Sequence, residues 1–141
     1  MTEETRPEVS YAGIVYGEII YWGTIAGSII AIIGATIATV FTKNVIEPAY
    51  LFSQIWEGNS PATIWEGAVG AAPKGHWYLA NLFTGDGLTM FGLAFGVFAV
   101  TPGLFLSGFV LLKKRDFVYG GLAVISGLIS LVACLGLIAL P

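Results

Sequence analysis

Hydrophobic residues gather into three runs along the chain, parted by one long polar interval and one very short one. The first run extends from Tyr11 to Phe41, with Glu18 as its one charged residue. A helix over that whole run would be roughly 46 Å long, against a hydrocarbon core of about 30 Å. The spanning part is therefore placed at about 19–41, with Tyr11 to Glu18 in the headgroup region and Ser10 as N-cap. The second run predicts a span at about 88–112. Asp86, just ahead of it, suits the positive end of a helix dipole. Pro102, in mid-span, lacks a backbone donor, so a kink is expected near Thr101-Pro102. The third span is placed at about 117–140.

The long interval, 42–87, has a pattern of its own. Ile55-Trp56-Glu57-Gly58 recurs as Ile64-Trp65-Glu66-Gly67, each copy reading as the end of a short helix. Pro48 suits the first position of one helix, and Tyr50, Leu51, Phe52, Ile55 and Trp56 give it an apolar face. Ser60 and Pro61 open the next, and Gly67 is expected to close it. Trp on one side and Glu on the other fit a membrane–water interface. Ala68 to Gly75 reads as irregular loop, after which His76-Trp77-Tyr78 returns aromatics to the interface. The predicted architecture is an all-α integral membrane protein: a single membrane domain over 1–141, with three transmembrane helices and a long outer loop carrying short interfacial helices.

Charge sets the expected orientation. Lys113-Lys114-Arg115-Asp116 holds three cations in four residues, in the shortest loop, where the positive-inside rule is strongest. That turn and the N-terminus are placed in the cytoplasm, the C-terminus and 42–87 outside, in a multi-pass protein of the plasma membrane. The outer loop has only Lys43 and Lys74 as cations, which agrees. The first eight residues carry Glu3, Glu4 and Glu8 against Arg6, so no positively charged secretory leader is expected.

Composition narrows the chemistry. Of 141 residues, 56% are hydrophobic and 11% charged, against about 25% charged in soluble domains. A net charge of −3 offers no basic patch for nucleic acid. Cys134 and His76 are each the sole residue of their kind, so no disulfide and no zinc site of usual type is expected within one chain. Length arithmetic reads Glu18 as a solvated interfacial acid rather than a proton relay. There is no phosphate-cradling glycine loop and no nucleophile with a base, and so no enzyme and no cofactor are expected.

The 19 glycines fit close helix packing instead. Gly23, Gly27, Ala31, Ala35 and Thr39 recur at four-residue intervals; Gly92 and Gly96, extended by Ala99, form a second stripe, and Ser126, Ser130 and Cys134 a third. Such faces pack the chain's own helices or meet another protein. Trp56, Trp65 and Trp77 are the candidates for partner contact in the outer loop, and in the cytoplasmic turn Lys113-Lys114-Arg115-Asp116 the cations Lys113 to Arg115 are expected to meet anionic headgroups.

Thr101-Pro102, an apolar stretch, then Arg115-Asp116-Phe117-Val118-Tyr119 and another apolar helix resembles a family of small three-span prokaryotic membrane proteins, domain of unknown function 1634. The resemblance covers mainly the last fifty residues or so. This chain has Phe105 where members tend to carry an arginine, and a longer Trp-rich loop. The resemblance implies company with permeases of the sulfite-exporter type. The expected function is thus a non-catalytic accessory subunit of a larger membrane complex, of the energy-transducing or redox kind, whose partners are the bilayer and other membrane subunits. The alternative is a companion of such an anion permease.

Overall fold

A computed structural model describes residues 8–137. The end of the third predicted span, at 140, and both chain termini lie outside the described residues. Among those described the regular structure is helical, without strands: α1 Tyr11–Val40, α2 Pro48–Trp56, α3 Pro61–Val69, a short 3₁₀ turn Trp77–Asn81, α4 Gly85–Phe98, α5 Val100–Lys113 and α6 Phe117–Cys134. Three stretches are long and apolar enough to cross a membrane: Tyr11–Val40, Gly85–Lys113 and Phe117–Cys134.

The second stretch is two helices, parted at Ala99. The expected kink thus falls three residues before Pro102. A proline ring presses on the carbonyl four residues back, here that of Phe98, and leaves it without its N–H partner. The start of this stretch also differs from the sequence reading. Asp86 lies inside the first turn of α4 rather than ahead of it, and Thr84 takes the cap, its Oγ1 accepting the Gly87 N–H at 3.2 Å.

Contacts divide the chain into two units, Ile25–Gly96 and a second joining the residues up to Thr24 with those from Val97 onward. In both, the buried residues are mostly small, Ile46 and Ile64 of the first unit being the exceptions. Ala12, Ala31, Ala99, Thr101 and Ser107 are buried, whereas Ile32 and Ile129 are each 65% exposed and Trp22 62%.

Within Ile25–Gly96, α1 and α4 meet backbone to backbone. A Cβ built on Gly27 would lie 2.6 Å from the Gly92 carbonyl oxygen and 2.8 Å from the Gly96 Cα. Gly92 faces the backbone of Ala31, Gly34 that of Thr89, and Gly85 that of Ala38. The seam on α1 is therefore 27-31-34-38, and on α4 it is 85-89-92-96. This corrects the even stripe read from sequence, since Ala35 and Thr39 are exposed. At 3.6 residues per turn a strict four-residue stripe drifts around the helix, and alternating steps of four and three hold it on a neighbour.

In the other unit α5 and α6 form a hairpin. Glycine meets side chains there: a Cβ on Gly127 would stand 3.3 Å from Phe105 Cζ, and one on Gly108 3.1 Å from Val124 Cγ2. Thr101, 3% exposed, shares a hydroxyl–hydroxyl hydrogen bond of 2.9 Å with Ser130. The Thr-Pro of the sequence motif therefore marks both a helix break and a polar tie between α5 and α6.

Candidate functional site

The segment between α1 and α4 is assembled by turn chemistry and one carboxylate. Pro48 opens α2, and Gly58, at φ +77, closes it, its N–H donating to the Ile55 carbonyl while Asn59 N–H donates to that of Gln54. This is the paired 5→2 and 6→1 ending that favours glycine. Ser60 Oγ caps α3 by accepting the Thr63 N–H at 3.3 Å. Here the repeated Ile-Trp-Glu-Gly departs from its first copy. Gly67 lies inside α3, and Gly70, at φ +82, ends the helix. Gly67 is needed for a different reason: a Cβ there would collide with the Tyr50 hydroxyl of α2.

The two copies consequently present their tryptophans differently. α2 buries none of its residues, and Phe52, Ile55 and Trp56, spaced for one helix face, are 60%, 53% and 87% exposed. Trp65 is half-buried and meets Trp77 edge to face, with ring centroids 5.0 Å apart. Both line an apolar cleft of about 520 Å³ with Ile46, Leu51, Met90 and Leu93.

Asp86 fixes the cleft's wall. Its Oδ2 accepts the N–H groups of Val45 and Ile46, at 2.8 and 3.3 Å, and its Oδ1 accepts that of Gly87 at 2.9 Å. Beside it the Gly85 N–H donates to the Lys43 carbonyl at 2.7 Å. Charge-assisted bonds of this kind are about twice as strong as neutral ones, so Asp86 clasps the chain leaving α1 to the start of α4. The sequence pattern tied Asp86 only to the dipole of the helix that follows it, because its partners lie 40 and 41 residues away. Asn44, in the same wall, donates Nδ2 to the Ala38 carbonyl at 3.0 Å, while its Oδ1 is shielded and without a partner among the described residues.

The remaining candidates sit elsewhere. Gly23, of the first stripe, lies against Ala99, where a Cβ would collide with the alanine methyl. Glu18 is exposed, and His76 packs edge-on to Tyr78 at 5.8 Å. Among the described residues no group of three or more His, Cys, Asp or Glu gathers where a metal ion could be held.

The 113–116 turn closes the α5–α6 hairpin. Arg115, at φ +62, takes the position where helices usually end on glycine, its N–H donating to the Leu112 carbonyl and that of Asp116 to the Leu111 carbonyl. Asp116 then caps α6 by accepting the Tyr119 N–H at 3.4 Å. Arg-Asp-x-x-Tyr is thus a helix stop followed by a helix start. Lys113 Nζ stands 4.8 Å from the Phe109 ring centroid and Lys114 Nζ 5.8 Å from that of Tyr11.

Comparison with known proteins places a family model over residues 12–137. An uncharacterized protein of Archaeoglobus fulgidus is 33% identical over 115 residues, covering 80% of this chain and 75% of the relative. No solved structure matches the chain.

Proposed function

We propose, for a chain that belongs to the family matched over its three long helices and shared with the archaeal relative, the role of a non-catalytic accessory subunit in a larger membrane assembly. The observation that carries the reading is the unpartnered α2 face. A nine-residue helix that buries nothing of its own, and displays Phe52, Ile55 and Trp56 together, is built to be covered. Exposed aromatic anchors beside an apolar cleft are also the features that dominate protein interfaces once desolvated. Large apolar side chains outside and small ones inside suit lipid around the spans, where close backbone approach replaces the hydrophobic drive between helices.

In this reading the protein is multi-pass in the plasma membrane, with the 113–116 turn and N-terminus cytoplasmic, and the C-terminus and α2–α3 segment outside. The tryptophan face docks an outer surface of the partner, a subunit of an energy-transducing or redox complex. The kinship with domain of unknown function 1634, and with it an anion-permease partner, belongs to the same proposal as its second form; the Thr101-Pro102 and Arg115-Asp116 motifs favour it.

Purification from native membranes in mild detergent, with mass spectrometry of the co-migrating chains, is the test. A stoichiometric membrane partner is expected, retained by the wild type and lost when Trp56 and Trp65 are both replaced by Ala. A chain that runs alone, or a double variant that keeps every partner, overturns the docking role.

A further inference from the structure

The apolar cleft of about 520 Å³ between α1, α4 and the α2–α3 segment has an uneven polar wall. Thr39, Asn44, Asp86 and Thr89 each bring to it a side-chain oxygen that can only accept. The Thr39 and Thr89 hydroxyls give their protons to the Ala35 and Gly85 carbonyls, at 2.9 and 2.7 Å. Asn44 donates Nδ2 to the Ala38 carbonyl, and since a carbonyl takes only a donor, that bond fixes which end of the amide is oxygen. The oxygen, Oδ1, is shielded from solvent and has no donor among the described residues. An enclosed acceptor left unmet carries its whole desolvation penalty, so a donor brought to it is favoured.

The rest of the wall is apolar and aromatic. Trp65 and Trp77 meet edge to face at 5.0 Å, a geometry in which the ring that gives its edge keeps its own faces for other rings. Each indole also brings one N–H. No lysine or arginine lines the cleft among the described residues, and the Asp86 carboxylate does, so an anionic occupant is disfavoured. Volume and lining both fit a small-molecule site, for which roughly 300–1,000 Å³, mostly apolar with a few placed polar groups, is usual.

We propose that this cleft binds a lipid-soluble hydroquinone. One hydroxyl donates to Asn44 Oδ1, the ring packs against the tryptophan pair, and the start of the apolar tail follows Met90 and Leu93. Because Oδ1 is enclosed, a wall side chain turns aside to admit the hydroxyl; Met90, unbranched and 42% exposed, is suited to yield. The matching quinone has the same ring and tail but carbonyls in place of hydroxyls, and so brings oxygen against oxygen. The cleft therefore tells the two forms apart by hydrogen bonding, and the proposal is one of binding, without electron transfer. The site lies wholly within Ile25–Gly96 and needs no partner, so it stands or falls separately from the accessory role.

The test uses the full chain in detergent micelles under anaerobic conditions, with isothermal titration calorimetry as the readout and protein-free micelles as the blank. Three probes are compared: a decyl-substituted hydroquinone, the matching quinone, and decanol. The hydroquinone is expected to bind on the order of fivefold more tightly than the quinone, the worth of one hydrogen bond. Decanol, which has a hydroxyl and a tail but no ring, should bind more weakly than the hydroquinone. Asn44→Leu should erase the difference between the two redox forms while the quinone still binds. Ala35→Phe, at an exposed position of α1 in the cleft wall, should block all three probes, with an unchanged unfolding midpoint showing that the fold is kept. Should Asn44→Leu lose the fold, the wild-type comparison and Ala35→Phe decide. Equal affinity for the two redox forms, decanol matching the hydroquinone, or unchanged binding by Ala35→Phe would overturn the proposal.

Discussion

The α1–α4 seam and the α5–α6 hairpin solve one packing problem in two ways. In the seam glycine lets backbone touch backbone, as where Gly27 faces the Gly92 carbonyl and the Gly96 Cα. In the hairpin glycine makes room for side chains, Phe105 against Gly127 and Val124 against Gly108, and a hydroxyl pair adds a polar tie. A side chain can turn aside by a few tenths of an ångström, whereas a main chain inside a helix cannot. The seam is therefore the less forgiving region, although both are rich in glycine.

Alanine separates the two most sharply. In a helix interior it is favoured over glycine by about 1 kcal/mol, a gain common to both sites. Gly27→Ala should nonetheless destabilise by on the order of 1–3 kcal/mol, as overpacked cores do, and Gly27→Leu by more. Gly127→Ala should fall within about 1 kcal/mol of wild type, its Cβ meeting Phe105 Cζ at 3.3 Å. Thermal unfolding in detergent decides, and equal losses at the two sites would erase the distinction.

The polar tie comes next. Thr101→Val keeps the shape and strands the Ser130 hydroxyl; interhelical hydrogen bonds in membrane proteins average about 0.6 kcal/mol, so a loss of that order is expected. A loss as large as that at Gly27 would make the tie, and not the glycine contacts, the main support of the hairpin. The smallest effect concerns the turn. Arg115 adopts a left-handed conformation that costs a non-glycine residue about 1–2 kcal/mol, while Gly136 takes the like position, at φ +65, after α6. Arg115→Gly should raise stability by up to about 1 kcal/mol, less what added freedom costs in the unfolded chain. An unfolding midpoint that drops would show that the arginine side chain supports the turn.

These contrasts also explain what could be read from the sequence. Long apolar runs, Pro48, Ser60, Pro61 and Pro102 act locally, so the three long helices, the two short ones and a break near the proline were all legible. The phase of the seam was not: choosing Gly34 and Ala38 over Ala35 and Thr39 depends on the neighbouring helix, which no single-helix pattern contains. Gly67 misled because its glycine answers to Tyr50 of another helix rather than to a helix end. Asp86 was visible, but its clasp on Val45 and Ile46 exists only once α1 and α4 lie side by side. The left-handed Arg115 was hidden because nothing in an arginine announces that geometry.

The proposed topology sets the tryptophan face outside and the 113–116 turn inside one membrane, and the proposed docking role depends on it. It is tested by membrane-impermeant thiol labelling of intact cells, with Cys134→Ser as background and a single cysteine introduced as Lys74→Cys or Lys114→Cys. The account predicts that position 74 is labelled from outside and position 114 only after the membrane is opened. Labelling of position 114 in intact cells, with position 74 protected, would contradict it.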